Sequence, residues 1–230
     1  ADELMQRWQT ICREHFEDGG TSPTWGRRTS YSALVRGIVD AFEALPLRDE
    51  PRKPRVGVLG EILVQFHPDA NNHIVEVIES EGCEAVLPGL MWFVHNALTS
   101  GDYNWKTFGT EKWKRFLKKG FLAVLQQYQK PVDAALGTSQ RFEVPTHISR
   151  IVEEAQQIVQ LGNQSGEGWY LVGEMIDMIE EGVPNICVVQ PFACLPNHVT
   201  GRGIFREIRR QYPHANVASI DYDPGASQVN

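Results

Sequence analysis

Four short apolar runs constrain this chain more than any other feature: Val56-Gly57-Val58-Leu59, Ala85-Val86-Leu87, Ile186-Cys187-Val188-Val189 and Val217-Ala218-Ser219-Ile220. Each is too short and too uniformly apolar for a half-exposed antiparallel strand, and helical periodicity fills the intervals between them. Strands of this kind alternating with helices predict a parallel sheet with right-handed crossovers. The expected fold class is therefore α/β: a flavodoxin-like parallel sheet of about four strands in the order 2-1-3-4, with a helical insertion and an N-terminal helical extension. In that order the switch point lies between the first and third strands, and open α/β sheets bind ligands at the carboxyl ends of such strands.

The helices follow from spacing. Leu4, Trp8, Ile11, Cys12 and His15 recur at helical intervals, as do Tyr31, Leu34, Val35, Ile38, Val39, Phe42 and Leu45, with Thr29 or Ser30 as N-cap. These make an N-terminal helical pair over 1–53, and a Pro-rich, charged stretch at 46–55 leads into the α/β part over 54–230. A helix at 73–80 is expected to turn Ile74, Val75, Val77 and Ile78 inward and to end at Gly82. Further helices are expected at 90–98, 111–127, 148–161, 168–181 and 204–212.

Composition narrows the class. A chain of 230 residues that is 42% hydrophobic can bury a full core. No run approaches the roughly 18 apolar residues of a membrane span, so no membrane partner is expected. With 22 basic against 29 acidic residues the net charge is -7, the wrong sign for a nucleic-acid binder. The four cysteines are scattered rather than paired, which favours a reducing, cytoplasmic setting. A start at Ala1 without a signal-peptide pattern, and an end just after the turn-like Asp223-Pro224-Gly225, suggest an excerpt of a longer polypeptide. There is no Walker loop, complete dinucleotide fingerprint, His-Glu-x-x-His or nucleophile elbow, which disfavours the usual self-contained enzymes.

The candidate site lies where Gln190-Pro191-Phe192-Ala193-Cys194-Leu195-Pro196-Asn197-His198 leaves the third apolar run. Pro191 and Pro196 argue against both helix and ladder there. Across the switch point, Glu61, Asn71 and Asn72 are expected to face Gln190, Cys194 and His198, with Asp221 at the end of the neighbouring strand. Plainer roles compete with each of these. Cys187, Cys12 and Cys83 read as small core residues. Cys194 is either a packed loop thiol or a ligand or reactive group. Glu61 either bonds the next loop or stands in the cleft, and Asn71 and Asn72 either cap or offer amides to a ligand. His67, Asp69 and His73 have metal-like spacing, but Pro68 and Asp69 read better as a helix start. The basic helix from Glu111 to Lys119 is expected to pack Trp113, Phe116 and Leu117 inward, leaving its positive charges solvated or free for phosphates or an acidic partner. Gly201-Arg202-Gly203 is a weak phosphate cradle.

Gly60-Glu61-Ile62-Leu63-Val64-Gln65-Phe66 with Asn71-Asn72, and the Gln190 to His198 segment running on to Ile220-Asp221-Tyr222-Asp223-Pro224-Gly225-Ala226-Ser227, resemble the acyl-CoA dehydratase activase-related proteins. These are large proteins of anaerobes, grouped with the 2-hydroxyacyl-CoA dehydratases and their ATP-driven activators. The resemblance spans about 54–230 and is specific in the two loops. It implies a half of flavodoxin-like α/β build and an iron-sulfur cluster held by several cysteines, with Cys194 where one ligand falls. The loop Pro88-Gly89-Leu90-Met91-Trp92 carries no cysteine, so the cluster is expected in the parent protein and not in this chain alone. The activator's nucleotide domain is absent, which leaves ATP hydrolysis to an actin-like ATPase among the other domains of the parent.

The expected function is a scaffold and partial ligand or cluster site in ATP-coupled, low-potential electron transfer to acyl-CoA-type substrates, not catalytic alone. In that role Cys194 ligates iron while Glu61, Asn72 and His198 shape the cleft. The alternatives are a non-catalytic interaction module, and a CoA-binding domain that uses Arg202 and the basic helix.

Overall fold

The computed structural model describes residues 1–17, 19, 21–22, 27–28, 30–110 and 112–223, apart from the side chains of 21, 22, 27, 28, 92, 100 and 101. Thr29, Glu111 and the stretch 224–227 of the resembling segment lie outside the described residues. The chain divides into two compact units: Ala1–Glu50 with Gly120–Pro145, and Pro51–Lys119 with Thr146–Asn230. The expected boundary after residue 53 falls beside this division, while Gly120–Pro145 belongs to the first unit.

In the first unit, α1 (Asp2–Glu17) is followed by a short antiparallel pair, β1 (Thr21–Ser22) and β2 (Arg27–Arg28), and by α2 (Tyr31–Glu43). Ser30 caps α2, its side chain accepting from the Ala33 N–H at 3.3 Å. The expected apolar stripes meet: Trp8 and Ile11 of α1 cluster with Leu34 of α2, and Cys12 packs partly buried beside them. Val35 and Val39 on the neighbouring stripe pack on Ala135, near the end of a helix at Lys112–Leu136.

The second unit holds β3 (Arg55–Gly60), α3 (Ile62–Phe66), α4 (Ile74–Ser80), β4 (Glu84–Val86), α5 (Met91–Phe108) and the start of α6 (Lys112–Leu136). It resumes with α7 (Ile148–Ala155), α8 (Gly168–Glu180), β5 (Asn185–Pro191), α9 (Phe205–Gln211) and β6 (Asn216–Tyr222). The four longer strands form one sheet in the order β4-β3-β5-β6, every pairing parallel. This is the expected α/β architecture with the flavodoxin-like order 2-1-3-4.

Burial on both faces explains why the strands read as continuous apolar runs. Leu59, Ile186, Val188 and Val217 cluster with Leu171, Met175 and Met178 of α8 and with Phe205 and Ile208 of α9. Val58 and Val189 cluster with Val64, Ile74 and Ile78 of α3 and α4. Each such side chain contributes about 1.5–3 kcal/mol when fully buried. Helix α8 is buried on every side from Gly168 to Ile179, sandwiched between the sheet and α7, whose Ile151 and Ala155 reach it at Gly173.

Three expectations are corrected. Val77 is exposed, because a seven-residue helix needs only Ile74 and Ile78, four apart, to cover the sheet. Trp113, 71% exposed, with Phe116 and Leu117, faces outward rather than in. Asp102 of α5 draws Arg115 (Nε to Oδ1, 2.5 Å) and Lys119 (Nζ to Oδ2, 3.2 Å) to the opposite side of α6. The Gln190 to His198 segment is also more regular than its prolines suggested. Pro191 stays in the ladder opposite Tyr222, at the strand end where a missing N–H costs little, and Phe192 N–H donates to the Tyr222 carbonyl at 3.1 Å. Pro196 sits just before a π-helical turn at Asn197–Gly201, again where its N–H is not needed.

The end of β3 gives a test of this packing. Gly60 has φ +148, and a Cβ there would lie 1.8 Å from the Val189 carbonyl oxygen. Gly60→Ala should therefore cost about 3 kcal/mol or more. Gly120, in open space within α6, should gain about 0.5–1 kcal/mol on mutation to Ala. Urea unfolding midpoints check both, and a Gly60→Ala protein as stable as wild type would contradict the close approach of β3 to β5.

Candidate functional site

The parallel pairing of β3 with β5 sets the two resembling loops side by side at the carboxyl edge of the sheet. Glu61 N–H donates to the Val189 carbonyl at 2.9 Å, and the Glu61 carboxylate turns back to cap α3, accepting from Val64 N–H at 3.0 Å. Glu61 thus bonds its own helix. Ile62 N–H donates to Glu167 Oε1 at 3.2 Å. The Asn197 amide, oriented to satisfy its neighbours, donates to Glu167 Oε2 at 3.0 Å and accepts from Glu61 N–H at 2.8 Å. The loop after β3, the residue preceding α8 and the turn after β5 are thereby tied together. Burial raises the Glu167 carboxyl above the usual carboxylate range, its backbone hydrogen bonds oppose the shift, and nearby Glu61 adds to it.

On the β5 side, Ala193 takes the left-handed conformation (φ +63) in the turn that follows the strand. Cys194 N–H donates to the Pro191 carbonyl at 3.1 Å, and the Cys194 carbonyl accepts from His198 N–H at 3.0 Å. His198 Nδ1 lies 2.8 Å from that same oxygen, which only accepts, so Nδ1 carries the hydrogen. The other ring nitrogen, Nε2, stands 3.3 Å from Asp221 Oδ1. Buried Gln190 donates from Nε2 to Asp221 Oδ1 and to Ser219 Oγ, each at 2.7 Å, and its Oε1 has no partner among the described residues. Arg202 lies 3.7 Å from Asp221 Oδ2. Gln190, Asp221, His198 and Arg202 therefore form one network beneath the Cys194 loop. Burial pushes the Cys194 thiol up, the Asn197 N–H pulls it down, and Glu167 and Glu61 push it further up, so it rests as a thiol beside two carboxyl groups.

Asn71 and Asn72 are not brought into this group. Buried Asn71 donates to the Val64 carbonyl at 2.7 Å and accepts from Ile74 N–H at 3.2 Å, stitching α3 to α4. Asn72 is an exposed left-handed turn residue with φ +51. His73 pairs with Glu76 at 2.7 Å and with Asp69 at 3.7 Å on the surface, next to a 3-10 turn at Pro68–Ala70.

Among the described residues no group of three or more His, Cys, Asp or Glu side chains is placed to hold a metal ion. Cys12 is on α1, Cys83 precedes β4, and Cys187 lies within β5, where burial raises its thiol. Cys194 contributes a single sulfur, and a cluster on it would need ligands from outside the described residues.

Sequence reasoning missed Asn197 and the polar face of α8, where Glu167, Tyr170, Glu174 and Asp177 are all buried. The signal was present: apolar residues cover the rest of the circumference of α8, so the acids inside it must be buried as well. Burial pushes Glu174 up to about 8, with Asp177 and Glu167 adding and Tyr170 opposing. Burial likewise pushes Asp177 up to about 7, with Glu181 adding.

Both groups hold more protons folded than unfolded, so the stability they contribute is lost as pH rises from the ordinary carboxyl range through about 7 and about 8. The urea midpoint of the wild type should fall between about pH 5 and about pH 8 and level off above that, and Glu174→Gln should remove much of the fall. Equal slopes for the two proteins would place Glu174 in contact with water. A second expectation concerns the thiols. Brief alkylation at pH 8 followed by peptide mapping should label Cys194 before Cys187, since the loop is the more open of the two sites. Equal or inverted labelling would mean that the Cys194 loop is packed shut.

No protein-family model, curated protein or solved structure matches this chain.

Proposed function

We propose that the chain serves as a scaffold and partial ligand site in ATP-coupled, low-potential electron transfer to acyl-CoA-type substrates, within a larger cytoplasmic assembly that supplies the actin-like ATPase. The reading rests on one observation above others: the two loops that resemble the dehydratase and activase group are hydrogen-bonded to each other at a strand-order switch point, through Glu61, Val189 and Asn197. In this reading His198 and Asp221 hold the backbone of the Cys194 loop, while Glu61 and Glu167 set the polarity around its sulfur. The chain offers one cysteine and is not catalytic alone.

A second reading, a non-catalytic interaction module, is favoured by the apolar side chains around Cys194. Leu195 is 70% exposed, and Phe192 and Val199 are exposed with it. The CoA-binding alternative is less favoured, because Arg202 already pairs with Asp221, and Arg115 and Lys119 already pair with Asp102.

Isolation under argon of the protein as its gene encodes it, with iron and acid-labile sulfide measured, separates these readings. Iron that drops several-fold in Cys194→Ser but holds in Cys187→Ser is the expected result. Iron-free protein, or iron indifferent to Cys194, would overturn the electron-transfer reading in favour of the interaction module. Retention on immobilised CoA that is lost in Arg202→Ala would favour the CoA-binding domain instead.

A further inference from the structure

A small cavity lies where the ends of β3 and β4 meet α8. Gly60, Pro88 and Phe93 line it from the strand ends and α5, and Glu167, Tyr170 and Glu174 line it from the helix. Its volume is about 10 Å³, room for one water-sized particle. The three polar residues are spaced i, i+3 and i+7, which puts them on one face of the chain entering and forming α8.

The acids of this cavity would have no counter-charge on ionising. Among the described residues no Lys, Arg or His lines it. Glu174 is 7% exposed, with Glu167 and Asp177 as its charged neighbours, and Glu167 in turn neighbours Glu61. The groups that face the cavity from α3, α5 and the loop after β4 are Gln65 and apolar or backbone groups, none of them titratable. Tyr170 is 3% exposed, and its hydroxyl, beside the Glu174 carboxyl, makes no geometrically formed hydrogen bond to any described residue. A buried hydroxyl that forms no close hydrogen bond is costly, and so is a buried carboxyl that ionises without a counter-charge. One positive ion in the cavity relieves both, since it balances the carboxylates and accepts a lone pair of the Tyr170 oxygen, leaving the hydroxyl hydrogen to Glu174.

We propose that the cavity formed by Glu167, Tyr170 and Glu174 binds one singly charged, water-sized cation, an alkali metal ion or ammonium. With Glu174 holding its proton up to about 8, the cavity lacks the negative charge that a divalent ion demands, and at about 10 Å³ it admits nothing as large as an alkylated amine. Binding displaces the proton of Glu174, so affinity rises by up to tenfold per pH unit below about 8 and levels off above it.

The test is thermal unfolding of the chain at pH 8.5 in sodium, potassium, ammonium and tetramethylammonium chlorides at equal ionic strength. The midpoint should rise by several degrees in at least one of the three small-ion salts relative to tetramethylammonium, and the salt that acts tells alkali ion from ammonium. The rise should shrink at pH 6.5 and disappear in Glu174→Gln. Equal midpoints in all four salts, or a small-ion effect that persists in Glu174→Gln, would overturn the proposal. If Glu174→Gln does not fold, Tyr170→Phe, which deletes one oxygen, decides by the same criterion.

Discussion

The pairing of β3 with β5 is the contact on which the rest of the second unit depends. It runs in parallel from Val56 opposite Asn185 to Gly60 opposite Val189, and it closes so tightly at Gly60 that a side chain there would overlap the Val189 carbonyl. That closeness lets the next residue, Glu61, donate to the same carbonyl and start α3 without a spacer. Two loops more than a hundred residues apart in sequence become one edge. The outer strands β4 and β6, and the helices on either face, then fill the layers that this central pair defines.

The carboxyl edge carries two electrostatic environments. Around Asp221 a carboxylate is met by the Arg202 guanidinium and by the Gln190 amide, which compensate its charge. Around Glu167 and Glu174 no Lys, Arg or His lines the cavity among the described residues, and desolvation holds the carboxyls toward their neutral forms. Cys194 spans the two: its backbone is fastened to the first through His198, and its sulfur feels the carboxyls of the second. A thiol in such surroundings is a poor nucleophile and a natural neighbour for positive charge. Uncompensated acids inside α8 oppose folding, and such a departure from local consistency is where function is to be sought.

The sheet was legible in the sequence because burial of a parallel strand on both faces leaves a local mark, a short unbroken apolar run such as Ile186 to Val189. The order 2-1-3-4 was assumed by analogy with flavodoxin-like sheets, since no local pattern fixes it, and that order set Asp221 beside the Gln190 to His198 segment. What stayed illegible was which of several possible partners, near or far in sequence, each side chain would meet. Asp102 turns Trp113 outward by drawing Arg115 and Lys119, Val64 and Ile74 claim Asn71 for the join between α3 and α4, and Val64 claims Glu61 as a cap. A local pattern states how much apolar surface an element has. Which group meets its polar side chains is decided only when the chain has folded, because a hydrogen bond or ion pair depends on a partner whose distance in sequence is arbitrary.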